Sequence, residues 1–145
     1  MASRNLDDLV ENARSKCKQW VQNCAARGVT VLVYCTYRTP AEQDELFAQG
    51  RTKPGAVVTN ARAWQSWHNV RRAWDAVPMF NGKPMWNFGE QWEPWRVMIE
   101  EGDKLGLEWA GRWTTFKEYV HWQQTDGLLY DQAKQLVMTL GLAND

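Results

Sequence analysis

The run Val29-Thr30-Val31-Leu32-Val33-Tyr34-Cys35-Thr36-Tyr37 is β-branched and aromatic. It is too short for a buried helix and reads as a largely buried strand. After Arg38, Thr39-Pro40-Ala41-Glu42 supplies an N-cap, a proline at the first helical position and a capping-box glutamate, with Gly50 as the stop. A helix over Pro40 to Gln49 must therefore start almost where the strand ends. Upstream, Leu6, Val10, Ala13, Cys17, Trp20, Val21 and Cys24 recur at steps of three and four, one helical stripe closed by Gly28. Downstream, Arg51 to Gln65 has Pro54, Gly55 and Asn60 but no sustained period, which predicts a long surface loop of the kind that more often carries function. Ala73 to Phe80 reads as a strand, Asn81-Gly82 as a hairpin turn and Lys83 to Phe88 as the return. Gln91 to Leu105 has helical spacing, with Pro94 in its first turn and Gly106 as its end. Leu107 to Ala110 and Tyr119 to Gln123 supply further strands, and Leu129 to Leu140 a last amphipathic helix. The expectation is one α+β domain, a small antiparallel sheet flanked by helices.

At 145 residues the chain can bury one real core, and no repeat, linker or low-complexity tract divides it. Seventeen basic and seventeen acidic residues leave no overall field, which argues against a nucleic-acid or polyanion binder. No apolar run reaches the length of a membrane span, and the first residues lack the apolar centre of a secretory signal, so synthesis in the cytoplasm is expected. Cys17, Cys24 and Cys35 are odd in number and show no CxxC spacing, which favours reduced core residues over a disulfide framework or thiolate zinc site. Ten tryptophans promise large apolar surfaces whose N–H groups need partners.

The chain has only two histidines, His68 and His121. A hydrolytic zinc ion needs about three imidazole or carboxylate ligands and one open position. His68, Asp75 and His121 can supply them, although a His and an Asp seven residues apart do not by spacing alone separate a ligand set from hydrogen-bonded structural residues.

The order of residues adds more. Ser66-x-His68-x6-Asp75, followed by Glu118-x-x-His121, resembles the SxHxxGxAxD and DxxH motifs of the zinc peptidases that cut peptidoglycan stem peptides. That family includes D-Ala-D-Ala carboxypeptidases and phage L-alanyl-D-glutamate endopeptidases, and shares its fold with the Hedgehog signalling domain. The likeness extends upstream through Tyr37-Arg38-Thr39-Pro40-Ala41-Glu42-Gln43 and Gln49-Gly50-Arg51-Thr52, so it spans Tyr34 to Gln123 in order. The resemblance implies a Hedgehog/DD-peptidase-like fold in which His68, Asp75 and His121 bind Zn2+. It implies that Glu118, standing where the family usually has Asp, is the general base, and that Arg38 faces the scissile carbonyl. Ser66 and Gln43 become candidate substrate-binding residues, with bracing of the His68 loop and orientation of Arg38 as their alternatives. Arg71 occupies the usual glycine position. Either the turn there is built differently or glycine is not essential to it. Arg51, Arg62, Arg71 and Arg72 are candidates for a basic rim that attracts the acidic stem peptide.

The resemblance therefore implies a zinc metallopeptidase of the phage endolysin type that cleaves the L-alanyl-D-glutamate bond of peptidoglycan and lyses the cell wall. It would be a monomeric single catalytic domain without a separate wall-binding domain, made in the host cytoplasm and released through a holin lesion. No nucleic acid or stable membrane association is expected. Three rivals remain: a D-Ala-D-Ala carboxypeptidase, a non-catalytic zinc-containing binding module of the same fold, and a tryptophan-rich interaction protein without metal.

Overall fold

Strand β1 covers Val31–Cys35, less than the apolar run around it. Thr36 and Tyr37 leave the sheet because the N-terminal arm claims their backbone: Thr36 N–H donates to Ser3 O at 2.7 Å, and Ser3 N–H to Tyr37 O at 2.9 Å. The structure, a computed structural model, describes residues 2–142. Helix α2, Pro40–Ala48, follows at once. Its capping box is complete, with Glu42 N–H donating to Thr39 Oγ1 at 3.1 Å and Thr39 N–H to Glu42 Oε1 at 2.8 Å, a start worth about 1 kcal/mol.

The predicted first helix is interrupted. A 3-10 turn spans Leu6–Asp8, and α1 runs from Glu11–Ala26. The break falls at Val10, whose N–H donates to Arg71 O at 3.0 Å and is lost to the helix. Strand β2, Ala73–Phe80, has the expected bounds. The Asn81-Gly82 turn takes positive φ at both residues (51° and 74°), as a tight hairpin demands. The return strand β3 is only Lys83–Pro84, not Lys83 to Phe88. Pro84 offers no N–H to the ladder, and Met85 and Phe88 turn into the core. Helix α3 is Glu93–Lys104, β4 Glu108–Trp109, β5 His121–Gln123 and α4 Tyr130–Thr139.

The sheet is antiparallel in the order β1-β2-β5-β4, with β3 added to β2. Alternation along the strands divides its residues between two faces. Trp74 pairs with Trp122, and Trp122 with Trp109, a row that meets Trp20 of α1, its ring 4.7 Å from that of Trp122. The buried Trp20 N–H donates to Met98 O of α3 at 2.9 Å, tying α1 to α3 over this face. Gly102 of α3 lets the rings approach the helix, since a Cβ there would lie 3.1 Å from Trp122 Nε1. A second cluster, Val70, Ala133 and Val137, seats α4 against the loop before β2. The other row holds Asp75, with His121 opposite it on β5 and Cys35 opposite it on β1. A register shift between Val33 and Cys35 on β1 brings Cys35 beside Asp75.

Arg71 resolves the question raised by its replacement of glycine. The turn is not rebuilt: Arg71 itself adopts φ +63°, which costs a side-chain-bearing residue about 1–2 kcal/mol. Its side chain offsets that cost. Nε donates to Leu142 O at 3.1 Å, Nη1 to Asp8 O at 3.0 Å, and the guanidinium lies 3.8 Å from the Tyr37 ring centroid. Replacing Arg71 should therefore destabilise the protein, and Arg71→Gly should remain about 1 kcal/mol more stable than Arg71→Ala because glycine escapes the φ penalty. Urea unfolding of both variants checks this, and an Ala variant as stable as the Gly variant would contradict it.

Candidate metal centre

The two histidines reach Asp75 from different directions. His121 comes across the β2–β5 ladder, where a directly opposed pair stands close enough for side-chain contact. His68 comes from the turn between the long loop and β2. Ser66 holds that turn by accepting from His68 N–H at 3.2 Å, and Arg38 N–H donates to His68 O at 3.4 Å. His68, Asp75 and His121 are all buried, at 2%, 8% and 3% exposure, so their polarity must be met inside the protein.

Hydrogen bonds fix which nitrogen of each ring is bare. His68 Nδ1 lies 2.7 Å from Thr36 O; a carbonyl only accepts, so Nδ1 carries the proton and Nε2 presents its lone pair. That Nε2 is 3.0 Å from Asp75 Oδ1. His121 Nε2 lies 2.7 Å from Gln123 Oε1, again an acceptor, and its Nδ1 is 3.3 Å from the same Asp75 Oδ1 with no hydrogen-bond partner. Two imidazole lone pairs thus face one carboxylate oxygen, at 3.0 Å and 3.3 Å. Three acceptors face to face require a positive charge among them, a proton or a metal ion. Two imidazoles and one carboxylate are a donor set that suits zinc, so the residues present fit the ion.

The titration shifts follow from this crowding. Burial pushes Asp75 up, but His68 and His121 together outweigh it and hold the carboxyl well below the ordinary range. Burial also drives His68 down, and it stays depressed despite Asp75. For His121 burial is overcome by Asp75 and Glu118, and its pKa is raised. Among the described residues, Cys35, His68 and Asp75 are the grouping whose possible ligand atoms all lie within 4.8 Å of one another. Cys35 is poorly suited to the task. Its thiol is pushed up to about 12, chiefly by burial, and it lies 3.8 Å from His68 Nδ1, the nitrogen already committed to Thr36.

His68 and His121 form part of the wall of a cleft of about 360 Å³, which Glu118, Arg38, Ser66 and Trp113 also line. Glu118 is anchored by its backbone, N–H to Ala110 O at 3.2 Å and O from His121 N–H at 3.3 Å. Burial, reinforced by Asp75, raises its carboxyl pKa against the opposing pull of His121 and Arg38. Arg38 is held at three points: Nη1 donates to Gln43 Oε1 at 2.8 Å, and Nη2 to Cys35 Sγ at 3.3 Å and Asp75 Oδ2 at 3.4 Å. Gln43 is fully buried and spends its amide N–H on Ala61 O at 2.7 Å. It stands behind Arg38, a bracing position and not one on the cleft. Ser66 lines the cleft while its carbonyl accepts from Tyr130 O–H at 2.9 Å.

Two of the four arginines of the expected basic rim, Arg71 and Arg72, are buried. Arg71 is spent on its turn, Arg72 is buried and paired with Asp126, and Arg51 is tied to Phe47 O, Thr59 O and Asn60. Arg51 and Arg62 are both exposed, each packed over the Phe47 ring. Of the tryptophans beside the motifs, Trp74 and Trp122 are core, and Trp67 reaches the cleft. Around the site, Gln123 and Glu108 carry no motif in the sequence, and Cys35 reads there only as a reduced core residue. Gln123, two residues from His121 on one strand, must share its face.

A buried His-Asp-His set at the side of a cleft, with a carboxylate of raised pKa and a fixed guanidinium beside it, is the arrangement that mononuclear metal hydrolysis requires. The comparisons name the relatives. Residues 59–124, which contain His68, Asp75, Glu118 and His121, match the family described as D-alanyl-D-alanine carboxypeptidase. The chain is 40% identical over 103 residues to the peptidoglycan L-alanyl-D-glutamate endopeptidase CwlK of Bacillus subtilis, covering 67% of this chain and 62% of that protein. It is 27% identical over 119 residues to the L-alanyl-D-glutamate peptidase of a Listeria phage, covering 82% of this chain and 39% of that one. It therefore spans less than two thirds of the length of these curated relatives. Among solved structures, the L-Ala D-Glu endopeptidase ChiX of Serratia marcescens matches with a TM-score of 0.57 at 21% identity, over 86% of this chain and 89% of that chain. The vancomycin-resistance D,D-pentapeptidase VanY in complex with Zn(II) matches with a TM-score of 0.60 at 18% identity, over 93% and 80%. The protein is a relative of the D-Ala-D-Ala carboxypeptidase and L-alanyl-D-glutamate endopeptidase family, and it has the DD-peptidase fold.

Because metal must displace protons from the imidazoles, affinity should fall with pH. The raised pKa of His121 makes proton competition begin above the ordinary imidazole value of about 6.5. Zinc titrations of the metal-free protein across that range check this, and an affinity unchanged between about pH 8 and pH 6 would contradict the assignment of His121.

Proposed function

We propose that the protein is a zinc-dependent peptidase that hydrolyses the L-alanyl-D-glutamate bond of the peptidoglycan stem peptide. The observation that carries this reading is the convergence of His68 Nε2, His121 Nδ1 and Asp75 Oδ1 beside the cleft that Glu118 and Arg38 line. Bound there, zinc supplies Lewis acidity, which polarises a carbonyl and makes water a nucleophile near neutral pH.

The chain's own residues do the rest. Glu118, with its raised pKa and its place on the cleft wall, accepts a proton from the attacking water as the new bond to the L-alanyl carbonyl carbon forms. It returns that proton to the D-glutamate nitrogen as the C–N bond breaks, leaving a carboxylate and an amine. Arg38, fixed by Gln43 and Asp75, places a permanent cation at the same wall, where charge develops on the carbonyl oxygen. Ser66 keeps the His68 turn in shape and offers a polar edge to the peptide.

The Bacillus and phage relatives are L-alanyl-D-glutamate peptidases by name, which favours this bond over D-Ala-D-Ala. The phage relative supports an endolysin role, in which the protein is made in a host's cytoplasm and reaches the wall through a membrane lesion to cause lysis. We take it to act as a monomer.

Digestion of purified sacculi, followed by mass spectrometry of the fragments, tests the reading. New L-alanine carboxyl termini and D-glutamate amino termini are expected, and release of free D-alanine alone would assign the carboxypeptidase reaction instead. Glu118→Ala should lower the rate by about 10²–10⁴-fold with zinc content unchanged. Equal peptide release by the variant would remove Glu118 from the mechanism.

A further inference from the structure

The hydrogen bonds behind His121 form a chain with only one consistent direction. Glu108 of β4 accepts two bonds on Oε2, from Gln123 Nε2 at 3.0 Å and from the Trp113 indole N–H at 2.9 Å. An ionised carboxylate only accepts and an indole only donates. The amide of Gln123 must therefore turn its NH2 toward Glu108 and its Oε1 toward His121. Gln123 is buried, and Oε1 meets His121 Nε2 at 2.7 Å. An oxygen there obliges Nε2 to carry the ring proton, which leaves Nδ1 bare toward Asp75.

We infer that Glu108 is a positioning residue for the metal centre: acting through Gln123, it sets the tautomer of His121 so that Nδ1 and not Nε2 is the ligand. Glu108 touches none of the three ligands. Its effect passes through the Gln123 amide, which reverses if nothing holds its NH2 outward. A reversed amide presents a donor to Nε2, the ring proton moves to Nδ1, and the lone pair is withdrawn from the metal position. The sheet makes the relay rigid, because Glu108 and Gln123 are register partners on β4 and β5. Trp113 completes it on the cleft side, with its ring 5.4 Å from that of His121. Partners behind a metal-bound imidazole commonly control its affinity in this way.

The inference rests on the metal reading of the His-Asp-His set but not on the identity of the bond cleaved. It is tested on Glu108→Ala and Glu108→Gln by two measurements: nitrogen NMR of the His121 ring in metal-free protein at alkaline pH, and zinc affinity by chelator competition. Glu108→Ala should show proton occupancy on Nδ1 and bind zinc about 10–100-fold more weakly. Glu108→Gln, whose amide oxygen can still accept both bonds, should keep the Nε2–H tautomer and near-wild-type affinity. A Glu108→Ala protein that keeps the Nε2–H tautomer and full zinc affinity would overturn the relay. So would a folded Glu108→Gln that loses as much as the alanine variant, because charge and not direction would then be the agent. If Glu108→Ala fails to fold, Glu108→Gln carries the test alone, and loss of its Nε2–H tautomer or its zinc affinity overturns the relay. Normal tautomer behaviour with no peptide cleavage would defeat the peptidase reading and leave this one standing.

Discussion

One oxygen, Asp75 Oδ1, faces two imidazole nitrogens that, while both rings are neutral, carry no proton for it. Thr36 O takes the only N–H of neutral His68, and Gln123 Oε1 takes that of His121. Buried acceptors left facing one another are costly in a low-dielectric interior, and a divalent cation turns that cost into binding energy. The rest of the structure maintains this confrontation. Arg38 partly compensates Asp75 through Oδ2, leaving Oδ1 to face the two imidazoles.

Sheet register delivers the arrangement. Asp75 and His121 are opposed residues on neighbouring strands, and the residues just before each of them, Trp74 and Val120, lead to the other face, where Trp74 pairs with Trp122. A slip of one residue would put Asp75 or His121 into the tryptophan core. The interlocked Trp20, Trp74, Trp109 and Trp122 rings therefore help to fix where the ligands point. The tryptophan excess has a role in this: it pins the register of short strands that have few ladder bonds of their own. Cys35 shares the ligand row for the same reason, being opposite Asp75, and burial keeps its thiol protonated there.

Much of this was legible in the sequence because it depends on local patterns. The capping box at Thr39 to Glu42, the Asn81-Gly82 turn, β2 and the spacing of His68, Asp75 and Glu118-x-x-His121 each need only neighbouring residues to be read. What escaped depends on distant partners. Nothing near Arg71 reveals that Leu142, Asp8 and Tyr37 wait to hold its side chain, so its tolerance of a glycine conformation could not be foreseen. The supposed basic rim loses Arg72 for the same reason, since that residue finds Asp126 only in the folded chain. The first helix broke at Val10 because a carbonyl sixty-one positions away, that of Arg71, takes its N–H. Glu108 is an unremarkable surface glutamate until β4 lies beside β5.

Anomalous diffraction at the zinc edge, from crystals of the protein grown with zinc, tests the central claim most directly. The account predicts one peak within about 2.0–2.2 Å of His68 Nε2, Asp75 Oδ1 and His121 Nδ1. A peak ligated instead by Cys35 Sγ, or by His121 Nε2, or no peak beside Asp75 at all, would contradict it.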